Sequence, residues 1–187
     1  MYGDSVNDDQ LMAEAAQGDE RAFQLLVSRW EQAVFGFLYH MVGSSEDAED
    51  LTQETFLRVH GHASKYRPED KFQSWLFRIA GNLARSYLRR RKLLRWFRFD
   101  TDQHDQPDPA LLPDEALARK QVRDMVRAAL EELPFRQRQA VVLQRYQGLS
   151  YREIANLMAT TPAAVESLLQ RAADRLRRRL AGKVATT

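Results

Sequence analysis

Residues 150–178 read SYREIANLMATTPAAVESLLQRAADRLRR. Ser150 followed three residues later by Glu153 is a capping-box pattern, so a helix starts at Tyr151, with Ile154, Ala155 and Met158 on its apolar side. Ala159-Thr160-Thr161-Pro162 breaks it: Thr161 is a good N-cap, and Pro162 suits the first position of a new helix. In that second helix Val165, Leu168, Leu169, Ala172, Leu176 and Leu180 recur with a period of about 3.6. Ala163, Glu166, Ser167, Gln170, Arg171, Asp174 and Arg178 are left outside. Two short helices joined by a tight turn, the second polar and basic on its outer face, suit the major groove of DNA. An ordinary helical hairpin with a solvated charged face would show the same periodicity, so the rest of the chain has to decide.

The chain has 187 residues, 44% of them hydrophobic, enough for one or two packed domains. A formal net charge of +2 hides strong segregation. Residues 85–98 carry seven basic side chains (Arg85, Arg89, Arg90, Arg91, Lys92, Arg95, Arg98) and no acid. Residues 100–115 carry six acids (Asp100, Asp102, Asp105, Asp108, Asp114, Glu115) and no Lys or Arg. Such a chain can meet a polyanion with one surface and a basic protein with another. With no cysteine, disulfides and thiolate metal sites are excluded. No apolar run approaches membrane-spanning length and the N-terminus is polar, so the expectation is a cytoplasmic protein without direct membrane insertion.

Helical periodicity runs through nearly the whole chain, and strand patterns are almost missing. The exception is 97–115, where Pro107, Pro109 and Pro113 lie among aspartates; it reads as an extended acidic linker. The expected organisation is all-α: a helical domain over 1–96, the linker over 97–115, and a helix-turn-helix domain over 116–187. In the first domain Asp8-Asp9 caps a helix stopped near Gly18, Asp19 caps a second, and Gly43-Ser44-Ser45 separates the second from a third. On the third helix Ala48, Leu51, Thr52, Thr55, Phe56 and Val59 share a face, with Glu46, Asp47, Asp50 and Glu54 opposite.

A fourth helix opens at Lys71 or Phe72. Phe72, Trp75, Leu76, Ile79, Ala80, Leu83 and Tyr87 fill one side. Lys71, Ser74, Arg78, Asn82, Arg85 and Arg89 fall within about 80° of arc opposite, counting about 100° per residue. A solvated helix face usually alternates sign, whereas no acid interrupts this row between Phe72 and Phe99. A row of cations interleaved with Ser and Asn donors fits a nucleic-acid backbone.

An acidic helix, a basic helix, an acidic linker and a helix-turn-helix, in that order, resemble the sigma factors of bacterial RNA polymerase, in particular the compact extracytoplasmic-function (ECF) branch. The resemblance rests on GDERAF (18–23), DAEDLTQETFLRVH (47–60), FQSWLFRIAGNLARSYLRRRK (72–92), Leu133-Pro134 with Arg136-Gln137-Arg138, and GLSYREIANLMATTPAAVESLLQRA (148–172). It implies that Asp47, Asp50, Gln53 and Glu54 dock on the clamp helices of the largest polymerase subunit, and that the second domain meets the polymerase flap. It implies that the loop 62–71 and the next helix open the −10 element, through Tyr66, Lys71, Ser74, Arg78, Asn82, Arg85 and Arg89. The helix-turn-helix would read the −35 duplex through Thr161, Ala163, Ala164, Glu166, Ser167, Gln170, Arg171 and Arg178. Glu166 and Leu168 depart from the commoner family pattern, which often has basic residues there, so a −35 preference does not carry over. The resemblance also implies an anti-sigma partner, free or membrane-bound, and a linker that threads toward the polymerase active-site cleft. No catalytic residue, cofactor or metal site is expected: the four histidines (His40, His60, His62, His104) have no ligand-like partner set, and His60 and His62 with a nearby carboxylate are the remote alternative. The rival readings are an autonomous helix-turn-helix regulator and a scaffold that binds no DNA.

Overall fold

The computed structural model describes residues 7–67, 71–98 and 114–184. Among them are eight α-helices, one 3-10 turn and no strand. Helix α1 (Asp8–Ala16) is capped by Asn7, whose side-chain oxygen accepts the Asp9 N–H at 3.0 Å. The cap therefore sits one residue before the expected Asp8-Asp9 pair, which occupies the first turn, where negative charge suits the helix dipole. Asp19 caps α2 (Glu20–Val42) by accepting from the N–H groups of Arg21 and Ala22. Gly43, at φ +84°, stops α2 in a left-handed conformation that a side chain would strain. Ser44 caps α3 (Ser45–Gly61), and a 3-10 turn (Ala63–Lys65) leads toward α4 (Phe72–Arg98).

Helix α5 (Asp114–Glu131) follows, then α6 (Phe135–Gln147), α7 (Tyr151–Leu157) and α8 (Pro162–Val184). Helix takes up both ends of the segment expected as linker, and residues 99–113 lie outside the described residues. The acidic linker and its aspartates fall there, apart from Asp114 and Glu115 at the start of α5.

Helices α1 to α4 enclose an aromatic centre in which Phe77 meets Phe37 edge-on at 5.3 Å and Trp30 at 6.1 Å. The core does not stop at the first half. Helix α6 packs on α2 and α7 on α4, and Val142, Leu143, Leu149, Ile154, Ala155, Leu157 and Val165 join the same buried cluster. A smaller cluster of Leu130, Leu133 and Ala172 ties α5, α6 and α8 together.

This contact gives α4 a second buried face. Phe77, Gly81 and Ala84, spaced by four and three residues, are buried, whereas Trp75, Ile79 and Tyr87 of the expected apolar side are only half-buried. At Gly81 a Cβ atom would lie 2.7 Å from the Gln139 amide nitrogen and 3.9 Å from the Phe37 ring. The missing side chain leaves room for the Gln139 amide reaching over from α6. Polar groups fix the register of the approach. The buried Arg138 donates to the carbonyls of Met41 at the end of α2 and of Glu131, and Gln147 donates to the Ala33 carbonyl at 3.1 Å. Both guanidinium contacts sit at the carbonyl ends of helices, where a cation is favoured.

His40 lies in the same contact, stacked on Tyr146 with ring centroids 3.8 Å apart. Burial pulls its pKa below the usual 6.5. The folded chain therefore binds fewer protons here than the unfolded chain as pH falls through the imidazole range, and stability is lost in that direction. Urea midpoints measured between about pH 8 and 5 should decline on the acid side of 6.5. In a His40→Gln variant that part of the slope should be absent.

Candidate nucleic-acid interface

The cation row of α4 survives folding as an outward surface. Arg78, Asn82, Arg85 and Arg89 are exposed, as is Lys71 just before the helix, and Ser74 is half-buried. The row borders the face that meets the second half of the chain. Arg78 shows this directly, because its guanidinium donates to the Asn156 carbonyl of α7 at 3.3 Å. Tyr66 is placed differently. Its ring is edge-on to Phe72 at 6.0 Å and tilted over Trp75 at 4.8 Å, and its hydroxyl donates to Asp9. It is half-buried and packed, not a free platform.

The acidic residues of α3 divide in two. Asp50 and Gln53 are exposed, and Glu54 is half-buried in an ion pair with Arg58 at 2.8 Å. Asp47 faces α4 instead. Burial pushes the Tyr87 phenol up to about 12, reinforced by its hydrogen bond to Asp47 and by that carboxylate's charge, against the opposing pull of Arg91. Beside α3 lies a groove of about 720 Å³, floored by Phe23, Val27, Phe56 and Leu57 and edged by Asp19, Glu20 and Glu31. Gln53 lines it, and Leu57 is 68% exposed. The charge pattern of the sequence pointed to the acidic face; the groove depends on how α1 and α2 meet α3, which no local pattern states.

The helix-turn-helix is built as its punctuation suggested. Ser150 and Glu153 form a complete capping box: the Glu153 N–H donates to the Ser150 hydroxyl, and the Ser150 N–H donates to the Glu153 carboxylate at 2.7 Å. Those hydrogen bonds from Ser150 hold the Glu153 pKa below the usual carboxylate range. Thr161 accepts the Ala164 N–H at 3.2 Å, and Pro162 opens α8. The turn closes through the Thr160 N–H to the Ala155 carbonyl at 2.9 Å, with Ala159 at φ +49°. Arg136 donates to the Met158 carbonyl at 3.3 Å and pins the end of α7.

On α8, Ala163, Glu166, Ser167, Gln170, Arg171 and Arg178 are exposed and Ala164 is half-buried. The Ser167 hydroxyl donates back to the Ala163 carbonyl at 3.1 Å, and Arg178 donates to the Asp174 carbonyl at 3.2 Å. Arg178 also lines a cleft of about 460 Å³ with Arg175, Arg179 and Glu132. The structure thus sets the −35 candidates along one face of α8 with Thr161 as its cap, and the −10 candidates, Tyr66 apart, along one face of α4 with Lys71 just before it. No group of three or more His, Cys, Asp or Glu residues able to hold a metal occurs among the described residues, and none of their helices is long and apolar enough to cross a membrane.

Residues 26–93 match the family model for Sigma-70 region 2, and residues 123–176 match that for Sigma-70 region 4. The chain is 30% identical to the RNA polymerase sigma-H factor of Pseudomonas aeruginosa over 89% of its own length and 90% of that protein's. It belongs to the ECF sigma factors. The ECF sigma-E factor of Haemophilus influenzae is 30% identical across 95% of this chain and 97% of that one, and the Escherichia coli sigma-E factor is 33% identical across 89% and 91%. Among solved structures, that of CnrH in complex with the cytosolic domain of CnrY superposes with a TM-score of 0.71 at 27% identity, covering 95% of this chain and 99% of that one. The Bartonella quintana sigma factor RpoE, solved with the anti-sigma factor NepR, gives a TM-score of 0.68 at 24% identity over 84% of this chain and 96% of that one, a likeness of fold. As an ECF sigma factor the chain directs RNA polymerase to promoters and is not an enzyme. That removes the autonomous regulator and the DNA-free scaffold.

Left-handed backbone costs a residue with a Cβ about 1–2 kcal/mol relative to glycine. Ala159→Gly should therefore stabilise the sigma factor by up to about 1 kcal/mol. Ser150→Ala, which opens the capping box, should cost about 1 kcal/mol. Chemical denaturation of the two variants beside the parent would measure both signs.

Proposed function

We propose that the two matched segments divide the work of promoter recognition, with the α1–α4 half engaging the polymerase and the −10 element and the α5–α8 half reading the −35 element. The observation that carries this division is the acid-free row Arg78, Asn82, Arg85 and Arg89, exposed on one helix and borne by the segment that matches region 2. Its cations suit the phosphates of a melted strand, and its Asn side chain offers hydrogen bonds to exposed base edges. On α8, Glu166, Ser167 and Gln170 present base-reading groups, and Arg171 and Arg178 present phosphate-binding ones. Thr161, Ala163 and Ala164 bring the N-terminal end of α8 up to the duplex.

The exposed Asp50 and Gln53, with Glu54, supply an acidic docking surface for the largest polymerase subunit, and Asp47 supports it from the side of α4. The α5–α8 half would meet the flap. The protein works in the cytoplasm and is held in check by an anti-sigma factor, a reading supported by structural relatives solved with such partners.

Reversing Asp50 and Glu54 to Lys together should weaken binding to core polymerase and leave helical content unchanged. Each exposed contact contributes about 0.2–1 kcal/mol, so a fluorescence titration needs the double variant. Unchanged affinity would place the dock elsewhere. Asn82→Ala with Arg85→Ala should slow promoter opening more than promoter capture. Permanganate footprinting on duplex and pre-melted templates separates the two steps, and a pre-melted bubble should rescue the variant.

A further inference from the structure

Helix α1 lies outside both segments matched by the family models, which begin at residue 26 and at residue 123. It is nevertheless part of the core. Leu11 and Met12 are fully buried, and α1 packs against α2, the 3-10 turn and α4. On its first turn sits Asp9, a carboxylate only 6% exposed. A carboxylate held that far from water needs hydrogen bonds. One comes from the Tyr66 hydroxyl, 57 residues further along the chain. Its neighbour Asp8 accepts the Trp30 indole N–H at 3.0 Å and pairs with Arg29, so the start of α1 is anchored on α2.

Tyr66 is thereby held at both ends. Its hydroxyl is fixed by α1, and its ring lies against Phe72 and Trp75, both on the first turn of α4. Phe72 is 2% exposed and also tilts against Trp30, at 6.1 Å. The first turn of α4 carries Ser74, directly follows Lys71 and precedes Arg78 by one turn, so it sets the near end of the cation row.

We infer that Asp9 is a positioning residue for promoter opening: through the Tyr66 hydroxyl it holds the first turn of α4, and with it the start of the −10 cation row. The inference rests on the reading of that row given above. A displaced first turn would misplace Lys71, Ser74 and Arg78 against the strand while leaving α3 and its acidic face untouched.

The test uses the full chain with core polymerase on a promoter obtained by run-off transcription. Tyr66→Phe removes the hydroxyl and keeps the ring; it should slow open-complex formation about tenfold, the size expected for losing a hydrogen bond to a charged group. Affinity for core polymerase should stay within about twofold, and a pre-melted template should restore the rate. Asp9→Ala should match Tyr66→Phe, the double variant should be no slower than either, and Asp9→Asn, which keeps an accepting oxygen, should open promoters like the parent. Leu11→Val controls for stability: it loosens α1 without touching the pair and should leave the opening rate unchanged. Additive effects of the two substitutions, no rescue by the bubble, or an equal defect in Leu11→Val would overturn the inference. If Asn82→Ala and Arg85→Ala open promoters normally, the reading of the row fails; if they are impaired while Tyr66→Phe is not, the positioning role alone fails.

Discussion

Helix α4 must satisfy three environments around one circumference. One side, with Phe72, Leu76, Ala80 and Leu83, closes the core of the first half. A second, around Gly81, receives the second half. The third keeps Arg78, Asn82, Arg85 and Arg89 in water. Two buried faces fix the rotation of the helix, so the row that the spacing of these residues creates is turned outward. A helix anchored on one face only could roll, and its exposed side chains would have no fixed register with a polyanion.

Gly81 leaves room for the Gln139 side chain at this contact. With a Cβ 2.7 Å from the Gln139 amide nitrogen, either that side chain or α6 would have to give way. The contact it permits is held by oriented polar groups as much as by apolar area. Arg138 reaches the last turn of α2, Gln147 reaches the Ala33 carbonyl, and Arg78 reaches the end of α7. Hydrogen bonds to backbone carbonyls specify register, because the carbonyls lie at fixed points on their helices. They add less net stability than their number suggests, since each donor also gives up water.

What was legible in the sequence is what is determined locally. The capping box at Ser150 and Glu153, the caps at Asp19 and Thr161 and the stop at Gly43 each depend on residues within a turn of one another, and each formed. The outward rows of α4 and α8 were legible because helical periodicity converts spacing into direction. The second buried face of α4 was not, since the close neighbour of Gly81 is Gln139, on a helix that arrives more than fifty residues later. Arg136-Gln137-Arg138 looks like an ordinary polar stretch, yet Gln137 and Arg138 are buried; only the carbonyls of Met41 and Glu131 make burial of that guanidinium tolerable. The packing of Tyr66 is not legible locally, because its partner Asp9 sits on a helix 57 residues earlier in the chain.

The separation of charge along the chain has to be managed where the acidic helix meets the basic one. At the junction of α3 with the later part of α4, Asp47 faces Tyr87 and Arg91, and Arg91 also donates to the Val42 carbonyl at 3.5 Å. These groups satisfy one another instead of facing outward. Asp47 of α3 thus meets Tyr87 of α4, and Arg91 ties α4 to the end of α2. The acidic surface then belongs to Asp50, Gln53 and Glu54, and the cationic one to residues on the far side of α4. For the proposed division of labour between polymerase and DNA, this seam draws Asp47 and Arg91 inward and leaves the outward acids of α3 and the outward cations of α4 on separate surfaces.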